Sequence, residues 1–169
     1  MKKSLKILFL AVVTITFISC GTSSKLKEAG WMASNYEVEC MGTGMDGTQL
    51  IKVWGYGKKP DDAISHAKKN GVHAIIFKGI TVGKKGCMTI PLSLEPGAEE
   101  KYREYYEKFF MNGGKYLQFI SISGEGANES VKVGSMYKCA IIVSINHSNL
   151  RKELEAAGVI KNVSDGFAK

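Results

Sequence analysis

Four cysteines, three histidines and one glycine-rich loop are the features of this 169-residue chain whose types and spacing could do chemistry. Cys20 stands in Phe17-Ile18-Ser19-Cys20-Gly21, directly after the apolar run Ile7 to Ile18, and poses the choice between a thiol and an attachment point. His66 and His73 are seven residues apart, which on a helix is roughly 10 Å of rise and too far to share one metal unaided. They read as two polar-face histidines; the alternative is a surface site completed by another segment. His147 could act as a base, yet no serine or cysteine is recognisably paired with it, and Ser148 reads better as a helix cap. Asp61 and Asp62 suit the positive end of a helix dipole before they suit acid–base work. The run Gly42 to Gly47, GTGMDG, fits a dinucleotide-loop pattern, but a strand follows it where the phosphate-binding mechanism needs a helix N-terminus. Asp46 lacks the neighbouring oxygen ligands of a calcium loop. No catalytic, metal-ligating or cofactor-binding residue is assigned.

Three further cysteines remain, and in an oxidising compartment one pair could be bridged. Cys139 lies in MYKCAIIVSI, where Tyr137, Cys139, Ile141, Val143 and Ile145 alternate onto one face, so it reads as a small buried hydrophobe. Cys40 and Cys87 are the better pair, with two unbridged thiols as the alternative. No cysteine pair has the short spacing of a zinc site.

The element that must position Cys20 is a leader. Lys2, Lys3 and Lys6 form a positive n-region, and the twelve residues from Ile7 to Ile18 are too few to cross a bilayer, which takes roughly 20. Together with FISCG this resembles the bacterial lipoproteins, whose lipobox ends in a cysteine that is acylated and cleaved on its amino side. Phe17 and Ile18 stand where leucine and a small residue are commonest, a looseness similar to that of lipoproteins from Bacteroidetes-type bacteria. The resemblance implies lipidation at Cys20, with each buried methylene contributing about 0.8 kcal/mol so that two or three acyl chains anchor the protein. GTSSK, after Cys20, carries no acidic residue and looks unlike an acidic surface-export signal. The expected location is the outer membrane, lipid-anchored and facing the periplasm.

The expected organisation is a signal peptide at 1–19, a lipidated cysteine and flexible tether at 20–35, a single domain at 36–163 and a tail at 164–169. The formal charge of +7 falls once the leader's three lysines are gone, leaving 20 basic residues against 16 acidic ones. Pairs such as Lys58-Lys59, Lys68-Lys69 and Lys84-Lys85 lack the interleaved aromatics of a nucleic-acid platform and read as solvated surface, so no nucleic-acid partner is expected.

YEVEC and LIKVWGY alternate as strands around the turn-rich GTGMDGTQ, a hairpin. Pro60, Asp61 and Asp62 at one end and Lys78-Gly79 at the other bound a helix over about Pro60 to Phe77, with Gly71 on its inward face allowing close approach to a sheet. PGAEEKYREYYEKFFMNGG predicts a second helix, with Tyr102, Tyr105, Tyr106, Phe109 and Phe110 as its inward stripe. KYLQFISIS and MYKCAIIVSIN are strands separated by the polar GEGANESVKVG. SNLRKELEAAG is a third helix, with Leu150, Leu154 and Ala157 inward and Gly158 as its stop. The order strand-strand-helix-helix-strand-strand-helix predicts an α+β fold, an antiparallel sheet of about four strands with helices on one face.

VWGYGKKPDDAISHAKKNGVHAIIF, followed later by YKCAIIVSINHSNLRKELEAAG, resembles small envelope lipoproteins related to the amino-terminal domain of flagellar assembly protein T. The chain as a whole is similar to Bacteroidetes-type lipoproteins. These resemblances supply no catalytic residues and imply a non-enzymatic envelope module used in assembly or attachment. The expected partners are therefore the membrane, through acyl chains on Cys20, and an envelope protein met by a sheet edge or by the Ile80 to Leu94 loop. The rival reading is a small-ligand-binding protein or an enzyme acting on envelope glycans, using His147 or the aspartates near Asp61.

Overall fold

The structure is a computed structural model that describes residues 36–44, 47–87 and 90–162, without the side chains of 125–128. The leader, Cys20, the tether, Asp46 and the tail lie outside the described residues.

Alternating apolar residues build the sheet first. β1 (Val38–Thr43) and β2 (Gln49–Gly57) form the expected antiparallel hairpin, with Val38 opposite Val53 and Cys40 opposite Ile51. Ile51 and Val53 point inward and are fully buried, while Lys52, Trp54 and Tyr56 lie on the other side of the strand. Gly47, at φ 76°, supplies the left-handed residue that closes this turn. β3 (Ile120–Val133) and β4 (Met136–Ile145) form a second antiparallel hairpin. β4 also pairs antiparallel with β2, so the four strands lie in the order β1-β2-β4-β3 and the fold is α+β. Cys139, Ile141, Val143 and Ile145 on β4 are buried, as their alternation predicts.

The polar segment expected to separate two strands is instead the body of β3. GEGANESVKV continues the strand through register shifts between Ile122 and Glu129, and the chain reverses only at Gly134-Ser135. Gly134 has φ 61° and among the described residues no non-glycine residue, Ser135 included, has positive φ, which is the pattern of a type II′ turn. KYLQF, expected to begin the strand, forms a 3₁₀ turn, Lys115–Phe119.

α1 (Pro60–His73) packs across β2 and β4 and winds without interruption into a π turn, Ala74–Lys78, ending at Gly79 with φ 74°. A Cβ on Gly71 would lie 3.2 Å from Val53 Cγ2, so its inward position is borne out. The tighter approach is elsewhere. A Cβ on Gly55 would overlap the Ala63 and Ala67 backbone, and one on Gly57 the backbone at Asp62 and Ala63. Bare glycines on the strand face bare alanines on the helix, and the two backbones close on one another.

The second expected helix is broken into α2 (Ala98–Lys101) and α3 (Arg103–Phe110), because Tyr102 leaves helical geometry at φ −109°, ψ 29°. The break re-aims the chain: Glu99 before it meets His73, while Tyr106, Phe109 and Phe110 after it enter the core. Their rings join Phe77, Tyr116 and Phe119 in one aromatic cluster. Tyr102 and Tyr105 stay half-buried.

α4 (His147–Ala156) begins two residues earlier than a cap at Ser148 would place it. Asn146 is its cap, accepting the Asn149 N–H at 3.0 Å, and Ser148 is exposed within the first turn. Its end is a Schellman motif, in which the Val159 N–H reaches the Leu154 carbonyl and the Gly158 N–H that of Glu155. Leu150 and Leu154 are buried and Ala157 is exposed, because Val159 occupies the apolar position beside Leu154.

Candidate functional site

Cys40 and Cys87 form a disulfide, with their Cα atoms 5.6 Å apart and both residues buried. The bridge ties the connection after α1 to strand β1. Two backbone hydrogen bonds repeat the attachment: the Cys40 N–H donates to the Val82 carbonyl at 2.8 Å and the Lys84 N–H donates to the Cys40 carbonyl at 2.9 Å, which together pair Cys40 in parallel with Gly83. Gly83, at φ 103°, is the residue this approach needs, since any Cβ there would strike the Cys40 backbone. The segment so held nevertheless exposes Val82 (61%), Ile90 (72%) and Leu94 (71%) to solvent. Among the described residues these are the most exposed large apolar side chains, and sequence reasoning named their loop and the cysteine that pins it, Cys87, without foreseeing the backbone pairing at Gly83.

On the amino-terminal side of Cys40 the two segments part. Between Tyr36–Glu39 on one wall and Gly79–Val82 on the other opens a groove of about 480 Å³, with Ala74, Lys78 and Trp54 along it. Beneath it lies a polar relay centred on the buried His73. The His73 Nε2–H donates to Glu99 Oε1 at 3.0 Å, since a carboxylate only accepts, and the Tyr36 hydroxyl is hydrogen-bonded to Nδ1 at 2.5 Å. Burial, and secondly the Glu99 carboxylate, push the Tyr36 phenol well above its ordinary range. A phenol held neutral in this way is a positioned hydrogen-bond donor and a poor nucleophile. The Lys78 ammonium lies 4.1 Å from the centre of the Tyr36 ring, a cation–π contact that fixes the ring's other side.

The expectation of two polar-face histidines fails at His73, which is only 7% exposed because Tyr36 and Glu99 cover the end of α1. His66 is half-buried, with Nδ1 2.6 Å from the Tyr56 carbonyl oxygen. Lys69, expected on a solvated surface, is buried and donates to Asn112 Oδ1 at 3.0 Å; burial lowers its pKa. No group of three metal-ligating side chains exists among the described residues.

The residues of the rival reading are only partly assembled. Asp61 and Asp62 sit exposed in the first turn of α1 and border a second depression of about 360 Å³ with Ser65, His66, Lys68 and Asn112. His147 borders neither depression; burial, then the Arg151 charge, hold its imidazole below the usual value. Cys139 is a free, buried thiol whose sulfur lies 3.3 Å from Ser130 Oγ. Among the described residues no helix is long and apolar enough to cross a membrane. Comparison with protein-family models, with curated proteins and with solved structures finds no match for this chain.

Proposed function

We propose that this chain is a cell-envelope lipoprotein, anchored through acyl chains on Cys20 to the periplasmic side of the outer membrane, whose α+β domain is a non-enzymatic binding module for another envelope protein. The observation that carries the binding role is the Ile80–Leu94 segment: it exposes Val82, Ile90 and Leu94 yet is fastened to β1 by a disulfide and backbone hydrogen bonds. Apolar side chains exposed on a rigid support present contact area at little ordering cost, which favours a partner surface over a frayed loop. The anchor rests on the resemblance of FISCG and its leader to a lipobox. Metabolic labelling with an alkyne fatty acid, followed by membrane fractionation and crosslinking in cells, tests both parts. Labelled, membrane-bound protein with a stoichiometric envelope partner is the expected result, with label and membrane association lost in Cys20→Ala. An unlabelled soluble protein would overturn the anchor, and a labelled protein without a partner would overturn the binding role.

A second reading, a small-ligand or glycan-acting site, has in its favour the polar depression around Asp61, Asp62 and His66. It predicts turnover or binding of envelope oligosaccharides that Asp62→Ala abolishes.

A further inference from the structure

The groove beside β1 has the form of an incomplete sheet edge. In an antiparallel strand, successive residues turn their backbone N–H and C=O alternately to opposite neighbours. Glu37 turns toward β2, where its carbonyl accepts the Trp54 N–H at 3.1 Å, and Cys40 turns the other way, to Val82 and Lys84. By the same alternation Val38 directs its N–H and C=O away from β2 and into the groove, whose far wall, Gly79–Val82, stands off from it. β1 and the clamped segment are thus paired at Cys40 and separated one turn of the pleat earlier.

The side chains around this gap select the occupant. Tyr36, Val38, Ile80 and Val82 offer apolar contact. Glu37 is neutralised by Lys138, 2.8 Å away, and the groove's own cation, Lys78, is held over the Tyr36 ring at 4.1 Å, whereas the Glu39 carboxylate has no ion-pair or hydrogen-bond partner among the described residues and is half-buried on the groove wall. An extended polypeptide supplies backbone groups for Val38, alternate apolar side chains for the walls and a lysine or arginine for Glu39. Nucleic acid would bring phosphates against Glu37 and Glu39, and a neutral glycan would leave the carboxylate unpaired.

We infer that the groove between Tyr36–Glu39 and Gly79–Val82 receives an extended, basic segment of a partner protein as an added strand on the outer edge of β1. This inference rests on the binding-module reading and names its site and partner chemistry. The disulfide keeps the far wall in place, and the Tyr36–His73–Glu99 relay holds the near wall's first residue.

The test uses the full lipidated chain in cells, with a photoreactive benzoylphenylalanine replacing Val82 at the groove or, separately, Val131 on the opposite edge of the sheet, where the side chain is 59% exposed. The expected result is a discrete polypeptide adduct at position 82, mapped to an extended segment containing Lys or Arg. Val38→Pro removes the outward N–H without removing a β1–β2 ladder bond and is expected to lower adduct yield at least about tenfold. Glu39→Lys, a change at a half-buried groove position that keeps the strand's backbone donors, is expected to do the same and serves if the proline variant fails to fold. An adduct at 82 unaffected by Glu39→Lys, or a glycan or nucleic-acid adduct in its place, overturns the strand-addition site. Adducts at 131 alone overturn it while leaving the binding-module reading standing. No adduct at either position overturns both.

Discussion

Removing the Cys40–Cys87 bridge by the double change Cys40→Ala/Cys87→Ala tests whether the clamp acts on the unfolded chain or on the native groove. The cysteines are 47 residues apart, and chain entropy for a loop of that length gives about 4 kcal/mol of stabilisation. Both sulfurs are buried, and alanine fills most of the space without burying a hydroxyl. Backbone hydrogen bonds at Val82 and Lys84 should persist in the double variant, because they do not use the sulfurs. The expected outcome is therefore a loss near 4 kcal/mol in urea unfolding, or roughly 10–20 °C in thermal midpoint, with a larger m-value because the uncrosslinked chain unfolds further. Hydrogen exchange at the Lys84 amide should still track global unfolding. A loss below about 1 kcal/mol, with the Lys84 amide exchanging freely, would refute the argument and make the bridge a local fastener only.

Gly55→Ala should cost more than about 3 kcal/mol or prevent folding, since its Cβ would overlap backbone atoms of Ala63 and Ala67 that cannot move aside. Gly71→Ala should fall within about 1 kcal/mol of the parent, because a gain in helix propensity offsets a 3.2 Å contact with a side-chain methyl; chemical denaturation of both variants compares them. Tyr36→Phe removes the hydroxyl hydrogen-bonded to His73 Nδ1 and should cost about 1–2 kcal/mol, and an unchanged denaturation midpoint would mean the relay contributes nothing to holding the groove wall. Burial, then Arg151, lower the His147 pKa, so just below about pH 6.5 the unfolded chain binds more protons than the folded one, and stability falls as pH drops through that window. His147→Gln should flatten the stability profile just below about pH 6.5, and an unaltered slope would assign the dependence to other groups.

The hairpin of β1 and β2, the α1 span with its inward Gly71, the buried alternation around Cys139 and the α+β class were legible in the residues, because each follows from a period of two or 3.6 and from turn or cap chemistry a few residues away. The pairing of Cys40 with Cys87 was legible as a preference among three cysteines, and the geometry decides it.

Errors arose where a distant neighbour decided the conformation. GEGANESVKV has no strand pattern of its own, yet it is strand because β4 supplies a ladder partner along its length, apart from the shifts at Ala127. Tyr102 breaks a sequence with uninterrupted helical periodicity, and Asn146 displaces Ser148 as cap because β4 ends at Ile145 and sets where α4 can start. His73 resembles His66 in sequence and differs in fate, since only folding brings Tyr36 and Glu99 to it from 37 and 26 residues away.

By itself the sequence determined the local elements, the inward faces and the leader-like segment ending at Cys20, all set by interactions within a few residues. Tertiary structure alone decided the sheet order, the Gly55–Ala63 contact, the relay centred on His73 and the groove beside β1. Each joins groups remote in the chain, and their meeting depends on how whole elements pack, which no local periodicity encodes.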